Sequence, residues 1–161
     1  MSFDLKPEIK EILSTIDFVK RYKNISENSR SIAGETVFSP SVEEIIRIIN
    51  GLGYEAVYDK KERFFKVGVV ENMPTYRIWL NIILRSKVAE FVWVVYHNDE
   101  IRLGSPWGVY PRLLISPDCV IKPPLYSTRS DFEQLLKAAF ELYEEFKQAV
   151  IEKYQSCVPT P

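Results

Sequence analysis

Hydrophobic and polar positions change their period twice along this chain of 161 residues. Between residues 7 and 22, apolar side chains recur every three or four positions, which is typical of one face of a helix. A second stripe of this kind starts after Ser41 and ends at Gly51, and Ser41 with Glu44 has the spacing of a capping box. The pattern therefore predicts two helices, joined by a long connection over residues 24–39.

Residues 54–120 change to the pattern of β-strands. Short apolar runs are separated by polar turns, and apolar and polar positions alternate between residues 75 and 85. Such short turns connect antiparallel neighbours, because a parallel pair needs a crossover of about a dozen residues or more. We expect an antiparallel meander of four to six strands. Its candidate strands are residues 54–58, 63–70, 75–85, 91–96, 101–103 and 112–115.

A long amphipathic stretch over residues 130–154 predicts a final helix that can cross a whole sheet. A helix or a ligand is expected to cover Trp79 and Ile83 on the mixed face of the strand at residues 75–85, and the last helix is favoured. The predicted fold class is therefore α+β: an antiparallel β-meander preceded by two helices and covered by one long C-terminal helix. We expect one domain over residues 1–161, with a frayed tail at residues 155–161.

Composition and charge narrow the function classes. A formal net charge of −1 and a pI near 6.0 provide no basic footprint for nucleic acid, whose phosphates require clustered Lys and Arg. The apolar runs are shorter than the ~20 residues that span a membrane, and the N-terminus lacks the apolar core of a secretory signal. We therefore expect a cytoplasmic protein that binds neither nucleic acid nor membrane, and its oligomeric state stays unknown.

Few residues suit catalysis or metal binding. The chain has one histidine, His97, in a predicted turn, and two widely separated cysteines, Cys119 and Cys157. A zinc site needs three or four ligands, and no motif places a nucleophile beside His97. The cysteines fit either incidental thiols or a single disulfide. The sequence therefore predicts a protein without cofactor, metal or enzymatic activity.

The aromatic segment over residues 104–112 is the best candidate for binding. It carries Trp, Tyr and Arg, which are enriched at interface hot spots, among prolines and glycines that would hold them in place. Acidic residues in the preceding turn would speed encounter with a basic partner. Closure of the core by Trp107 is the alternative. The predicted partner-binding residues are Trp107, Tyr110, Arg112, His97, Asp99 and Glu100.

An α+β chain of this size, with acidic turns and without a catalytic motif, resembles the immunity proteins that bacteria encode beside polymorphic or contact-dependent toxins. This class-level resemblance implies a protein that binds and neutralises a cognate toxin domain through charged turns and an exposed aromatic loop. Two alternatives stay open. One is a small-molecule or lipid-binding helix-grip-like domain, with an apolar cavity between the sheet and the last helix. The other is a secretion chaperone, which would place a helix inside the strand series.

Overall fold

The computed structural model describes residues 4–29 and 38–155 of the chain. The predicted α+β class is confirmed: along the chain, N-terminal helices are followed by a five-stranded antiparallel sheet and a long C-terminal helix. The elements are α1 Pro7–Thr15, α2 Phe18–Asn28, α3 Val42–Gly51, β1 Ala56–Asp59, β2 Phe64–Asn72, β3 Tyr76–Arg85, β4 Val88–His97, β5 Glu100–Leu103, α4 Val109–Leu114 and α5 Arg129–Gln155.

The strands form a meander in the order β1-β2-β3-β4-β5, in which every neighbouring pair is antiparallel. Two of its turns are two residues long, Ser86–Lys87 and Asn98–Asp99, and all four residues have positive φ. This conformation is typical of the primed turns whose twist matches that of the flanking strands. Sequential strands joined this tightly can only pair with each other, so the predicted meander topology is confirmed.

The core lies between α5 and the inner face of the sheet. On β3 the inner side chains Ile78, Leu80 and Ile82 are fully buried, as the alternation predicts. Phe146 of α5 stacks on Trp93 of β4 with ring centroids 4.0 Å apart. Burial of one such side chain stabilises the folded state by ~1.5–3 kcal/mol. This packing places α5 across the inner face.

The predicted helix over residues 7–22 is divided into α1 and α2 at Asp17, which has the left-handed φ of 56°. Aspartate tolerates this conformation, and the change of direction lets Phe18 reach the core, where it is fully buried. The predicted connection at residues 24–39 is wrong for its first part, because α2 continues to Asn28. Buried Ser26 holds this last turn, since its Oγ donates a hydrogen bond to the Lys122 carbonyl at 2.5 Å. Residues 30–37 and the tail at 156–161 lie outside the described residues.

The predicted sixth strand at residues 112–115 is also wrong, because residues 109–114 form the short helix α4. A brief apolar run fits a strand and a buried helical turn equally well, so periodicity does not separate them. Burial of Tyr110 and Pro111 on one side of α4 favours the helix. Proline is compatible with the first turn of a helix, where its missing N–H needs no partner.

Candidate functional site

The structure places the predicted aromatic loop in the core. Trp107 and Tyr110 are 1% and 0% exposed. The Trp107 ring lies among four other rings whose centroids are 4.7, 5.1, 5.4 and 5.5 Å away, those of Phe91, Trp93, Tyr22 and Phe18. Such contacts add to the free energy of burial. The prediction that Trp107 and Tyr110 face a partner is therefore wrong, and Trp107 closes the core instead.

Tyr110 is held in place by its hydroxyl as well as by its ring. The hydroxyl donates a hydrogen bond to the Ser105 carbonyl at 2.7 Å. Burial raises the pKa of Tyr110 above its usual value, since an ionised phenol would lose its hydration there. The tyrosine therefore stays neutral and fastens α4 to the preceding segment.

The remaining predicted site residues are not brought together into one surface. Asp99 and Glu100 are exposed at the turn between β4 and β5, whereas Arg112 is exposed on α4. Arg112 lines a cleft of about 380 Å³ together with Glu90 and Lys122. Partner binding by Asp99, Glu100 and Arg112 stays a prediction.

His97 is engaged within the protein. Its ring stacks on Tyr154 of α5 with centroids 4.0 Å apart. Nδ1 lies 2.7 Å from the Thr75 carbonyl and Nε2 lies 3.2 Å from the Asn98 side-chain amide nitrogen. Because a carbonyl oxygen can only accept, Nδ1 carries a proton and donates it to Thr75. His97 thus fastens the end of β4 to α5, and partner binding by this half-buried residue stays a prediction.

The outer face of the sheet is open in the described part of the chain. Arg77, Trp79, Asn81 and Ile83 of β3 are half-buried there, and no described helix contributes a ring contact or a side-chain hydrogen bond to them. The expectation that the last helix covers Trp79 and Ile83 is wrong. Successive side chains of a strand point to opposite faces, and α5 packs on the face of Ile78.

An aromatic pair occupies the middle of this open face. Trp79 of β3 and Tyr96 of β4 are nearly parallel, at 13°, with ring centroids 5.8 Å apart. Lys66 Nζ lies 4.2 Å and Arg77 Cζ 4.9 Å from the Trp79 centroid. The indole N–H donates to Asn81 Oδ1 at 3.0 Å. We call these five residues the outer-face cluster; its contacts hold the Trp79 ring in one orientation.

The outer-face cluster carries excess positive charge. Burial lowers the pKa of Lys66, the nearby Arg77 lowers it further, and Glu71 opposes both. Arg77 Nε lies 3.2 Å from a Glu71 carboxylate oxygen, although the geometry of a hydrogen bond is not met. Lys66 and Arg77 therefore both interact with the Trp79 ring and with the Glu71 carboxylate. Exposed apolar side chains surround the cluster on β1, β2 and β5: Val57, Val69 and Ile101.

A second concave region lies at the end of the sheet where β1 joins β2 and β3 joins β4. We call it the cationic cleft. It has a volume of about 730 Å³, and three cations line it, Arg63, Arg85 and Lys87. Sequence reasoning missed it because these residues lie in or beside separate turns that only the folded sheet brings together. Its other lining residues are Ser39, Pro40, Val42, Ile45, Tyr58, Phe65, Leu84, Ser86 and Tyr126.

The space between α5 and the sheet is filled by side chains in the region of Trp93 and Phe146, whose rings stack at 4.0 Å. A helix-grip domain would use that space for its ligand. Among residues 4–29 and 38–155, no three His, Cys, Asp or Glu side chains lie together as metal ligands would. No helix in those ranges is long and apolar enough to cross a lipid bilayer.

Comparisons of the chain with models of known families, with curated proteins and with solved structures found no match.

Proposed function

We propose that this chain is a non-enzymatic binding protein that holds a partner protein on the outer face of its sheet. The observation that carries the proposal is the open aromatic pair of Trp79 and Tyr96, which no described helix covers. Tryptophan, tyrosine and arginine dominate the residues that lose most binding energy on truncation. The outer-face cluster combines all three types on a rigid antiparallel sheet.

Rigidity favours this surface over a loop. Lys66, Arg77 and Asn81 already contact the Trp79 ring in the free protein. A side chain that is ordered before binding loses less conformational entropy when a partner arrives. Trp79 would therefore retain most of its contact energy as affinity.

The charge of the outer-face cluster favours an acidic partner. Lys66 and Arg77 crowd one another, and Glu71 balances only part of their charge. A carboxylate on the partner would relieve this repulsion, while apolar side chains would cover Val57 and Ile101. We propose a partner protein that presents an acidic patch with an apolar centre. Complementary charge of this kind raises the association rate and excludes wrong partners.

In its finer form, the proposal follows the resemblance to immunity proteins. The partner is then a toxin domain encoded beside this chain, and the bound complex keeps the toxin inactive. Exposed Arg112 would suit the acidic patch of this partner, whereas Asp99 and Glu100 would contact only a basic part of it.

The test uses the product of the adjacent gene, purified as an inactive variant if it is toxic, and measures its dissociation constant by calorimetry. Trp79→Ala is expected to weaken binding by ~30-fold or more, which corresponds to the ~2 kcal/mol of a hot spot. Lys66→Glu should weaken binding mainly through a slower association rate. Lys137→Glu, on the exposed side of α5, is the control for the same change of charge and should bind as the wild type does.

Unchanged affinity in the Trp79→Ala, Lys66→Glu double variant would contradict the proposal. A second outcome would also contradict it: no protein binds, but single-stranded RNA binds the wild type and not the double variant. The exposed aromatic rings would then stack on bases, which is a different function. A growth assay with the toxin co-expressed tests the finer form separately.

A further inference from the structure

The cationic cleft is separate from the outer-face cluster and none of its residues takes part in the function proposed above. As far as residues 4–29 and 38–155 form it, its lining contains three cations and no acidic side chain. Among the described residues, Arg63, Arg85 and Lys87 form no ion pair with a carboxylate, and Lys87 Nζ lies 3.4 Å from the Ser39 hydroxyl. No described carboxylate therefore balances these three positive charges at the cleft.

Two of the cations lie in turns with a left-handed backbone conformation. Arg63, Ser86 and Lys87 have positive φ values of 60°, 51° and 68°. Glycine and asparagine occupy such turn positions most easily, and other residues there are strained. The protein nevertheless has an arginine and a lysine at these positions, and both line the cleft.

The floor of the cleft is apolar. Tyr58 and Phe65 form a ring pair with centroids 4.7 Å apart, and Leu84 lies beside them. The volume of about 730 Å³ is within the range of sites for small organic ligands. A ligand that fits both parts has an anionic group toward the cations and an organic body toward the rings.

We propose that the cationic cleft binds a phosphorylated small molecule. A phosphate ester carries about −1.5 to −2 charge, and a diphosphate carries more, so phosphates match three cations better than a single carboxylate does. The planar guanidinium of arginine donates two parallel hydrogen bonds to phosphate oxygens, and lysine adds a point charge. Arg63 and Arg85 would hold the phosphate from two sides, Lys87 would neutralise it, and Tyr58 and Phe65 would contact the organic part.

The experiment titrates the full chain with inorganic pyrophosphate, ADP, adenosine and citrate by calorimetry at physiological salt. Pyrophosphate and ADP are expected to bind, ADP more tightly because its nucleoside reaches the apolar floor, and adenosine alone is not expected to bind measurably. The Arg63→Gln, Arg85→Gln double variant should weaken pyrophosphate binding at least ~10-fold, the usual effect of losing a charge-assisted hydrogen bond. Glutamine at position 63 keeps the backbone strain as it is.

A matched control removes two positive charges elsewhere. Arg47 on α3 and Lys137 on α5 are exposed and do not line the cleft, so the Arg47→Gln, Lys137→Gln variant should bind pyrophosphate within about twofold of the wild type, because surface charges at a distance are screened. An equal loss in this control would overturn the proposal, since it would show attraction by net charge alone. Citrate binding without pyrophosphate binding would overturn the phosphate class.

Absence of binding by both pyrophosphate and ADP would also overturn the proposal. Circular dichroism checks that the double variant is folded. If it is not, Lys87→Gln and Arg85→Gln are tested singly, and each must weaken pyrophosphate binding by at least ~3-fold, because each removes one charge from the cleft. Unchanged affinity in both would contradict the assignment of the cleft.

Discussion

The two faces of the sheet are formed by the same strands and differ in what covers them. On the inner face Trp93 is fully buried and lies against Phe146 of α5. On the outer face Trp79 is half-buried, and within the described part of the chain its ring contacts other sheet residues. The same residue type thus stabilises the fold on one face and remains accessible to a partner on the other. Whether a helix covers that face of the sheet, rather than the residue type, decides which role a tryptophan has.

Replacing one tryptophan on each face tests this comparison most directly. Trp93→Ala is expected to lower the free energy of unfolding by ~3–5 kcal/mol, because it opens a cavity among packed rings. Trp79→Ala should cost about 1–2 kcal/mol, since at this half-buried site it loses cation–π and stacking contacts and the hydrogen bond to Asn81 but leaves no enclosed cavity. Urea denaturation followed by circular dichroism measures both values. Equal costs would show that the outer face is covered as the inner face is.

Between Val67 and Val70 the pairing of β2 with β3 shifts register, and Gly68 in this irregular stretch tests how closely α5 fits the inner face. Gly68 has a φ of 64°, and a Cβ there would lie 3.0 Å from Tyr143 Cε2 and 3.1 Å from Tyr54 Cδ1. Tyr143 also donates a hydrogen bond to the Gly68 carbonyl at 2.7 Å. Gly68→Ala is therefore expected to destabilise the fold by ~1–3 kcal/mol, because alanine is strained in the left-handed conformation and its Cβ would crowd the rings of Tyr143 and Tyr54.

Gly51 provides the control for this change. It lies in α3, and no atom lies within 4 Å of a Cβ built there. Gly51→Ala should leave stability unchanged or raise it by about 0.5–1 kcal/mol, because alanine favours the helix. A Gly68→Ala protein as stable as the wild type would mean that α5 packs less tightly on β2 than the structure has it.

An ion pair fastens α1 to β5 and α5 at the margin of the inner face. Arg102 donates to both Glu8 oxygens, at 2.8 and 3.1 Å, and Tyr154 donates to one of them at 2.9 Å. Burial raises the pKa of Glu8, but the hydrogen bonds from Arg102, the Glu8 backbone N–H and Tyr154 outweigh it and lower the pKa from 4.5 to about 2. The charged form of Glu8 is therefore favoured by folding.

The pH dependence of stability follows from this lowered pKa. Glu8 contributes its full stabilisation above pH 4.5, the value for the unfolded chain, and loses it as the pH falls toward 2. Arg102→Gln should lower the free energy of unfolding by about 1–2 kcal/mol at neutral pH, and should flatten the loss of stability below pH 4.5. Denaturation midpoints for both proteins between pH 7 and pH 2.5 measure this difference. Parallel pH profiles of the two proteins would contradict the lowered pKa of Glu8.

The candidate surfaces were only partly accessible to sequence reasoning. The alternation on β3 placed Trp79 and Arg77 on one face, opposite Ile78, and this grouping is confirmed. The alternation does not predict which face α5 covers. The expected burial of Trp79 by that helix was wrong for this reason. The position of Trp107 could not be predicted either. The sequence pattern of a tryptophan among glycines and prolines is the same whether the side chain is exposed or closes the core.

The sequence by itself determined the α+β class, the antiparallel order of the strands and the inner stripe of α5 around Phe146, because periodicity and short turns act over a few neighbouring residues. Tertiary structure alone decided the helical conformation of residues 109–114, the burial of Trp107, the open side of Trp79 and the meeting of Arg63 with Arg85 and Lys87. Each of these depends on contacts between residues distant in the chain. Such contacts form only when the sheet and helices pack, and their free energy exceeds local propensity.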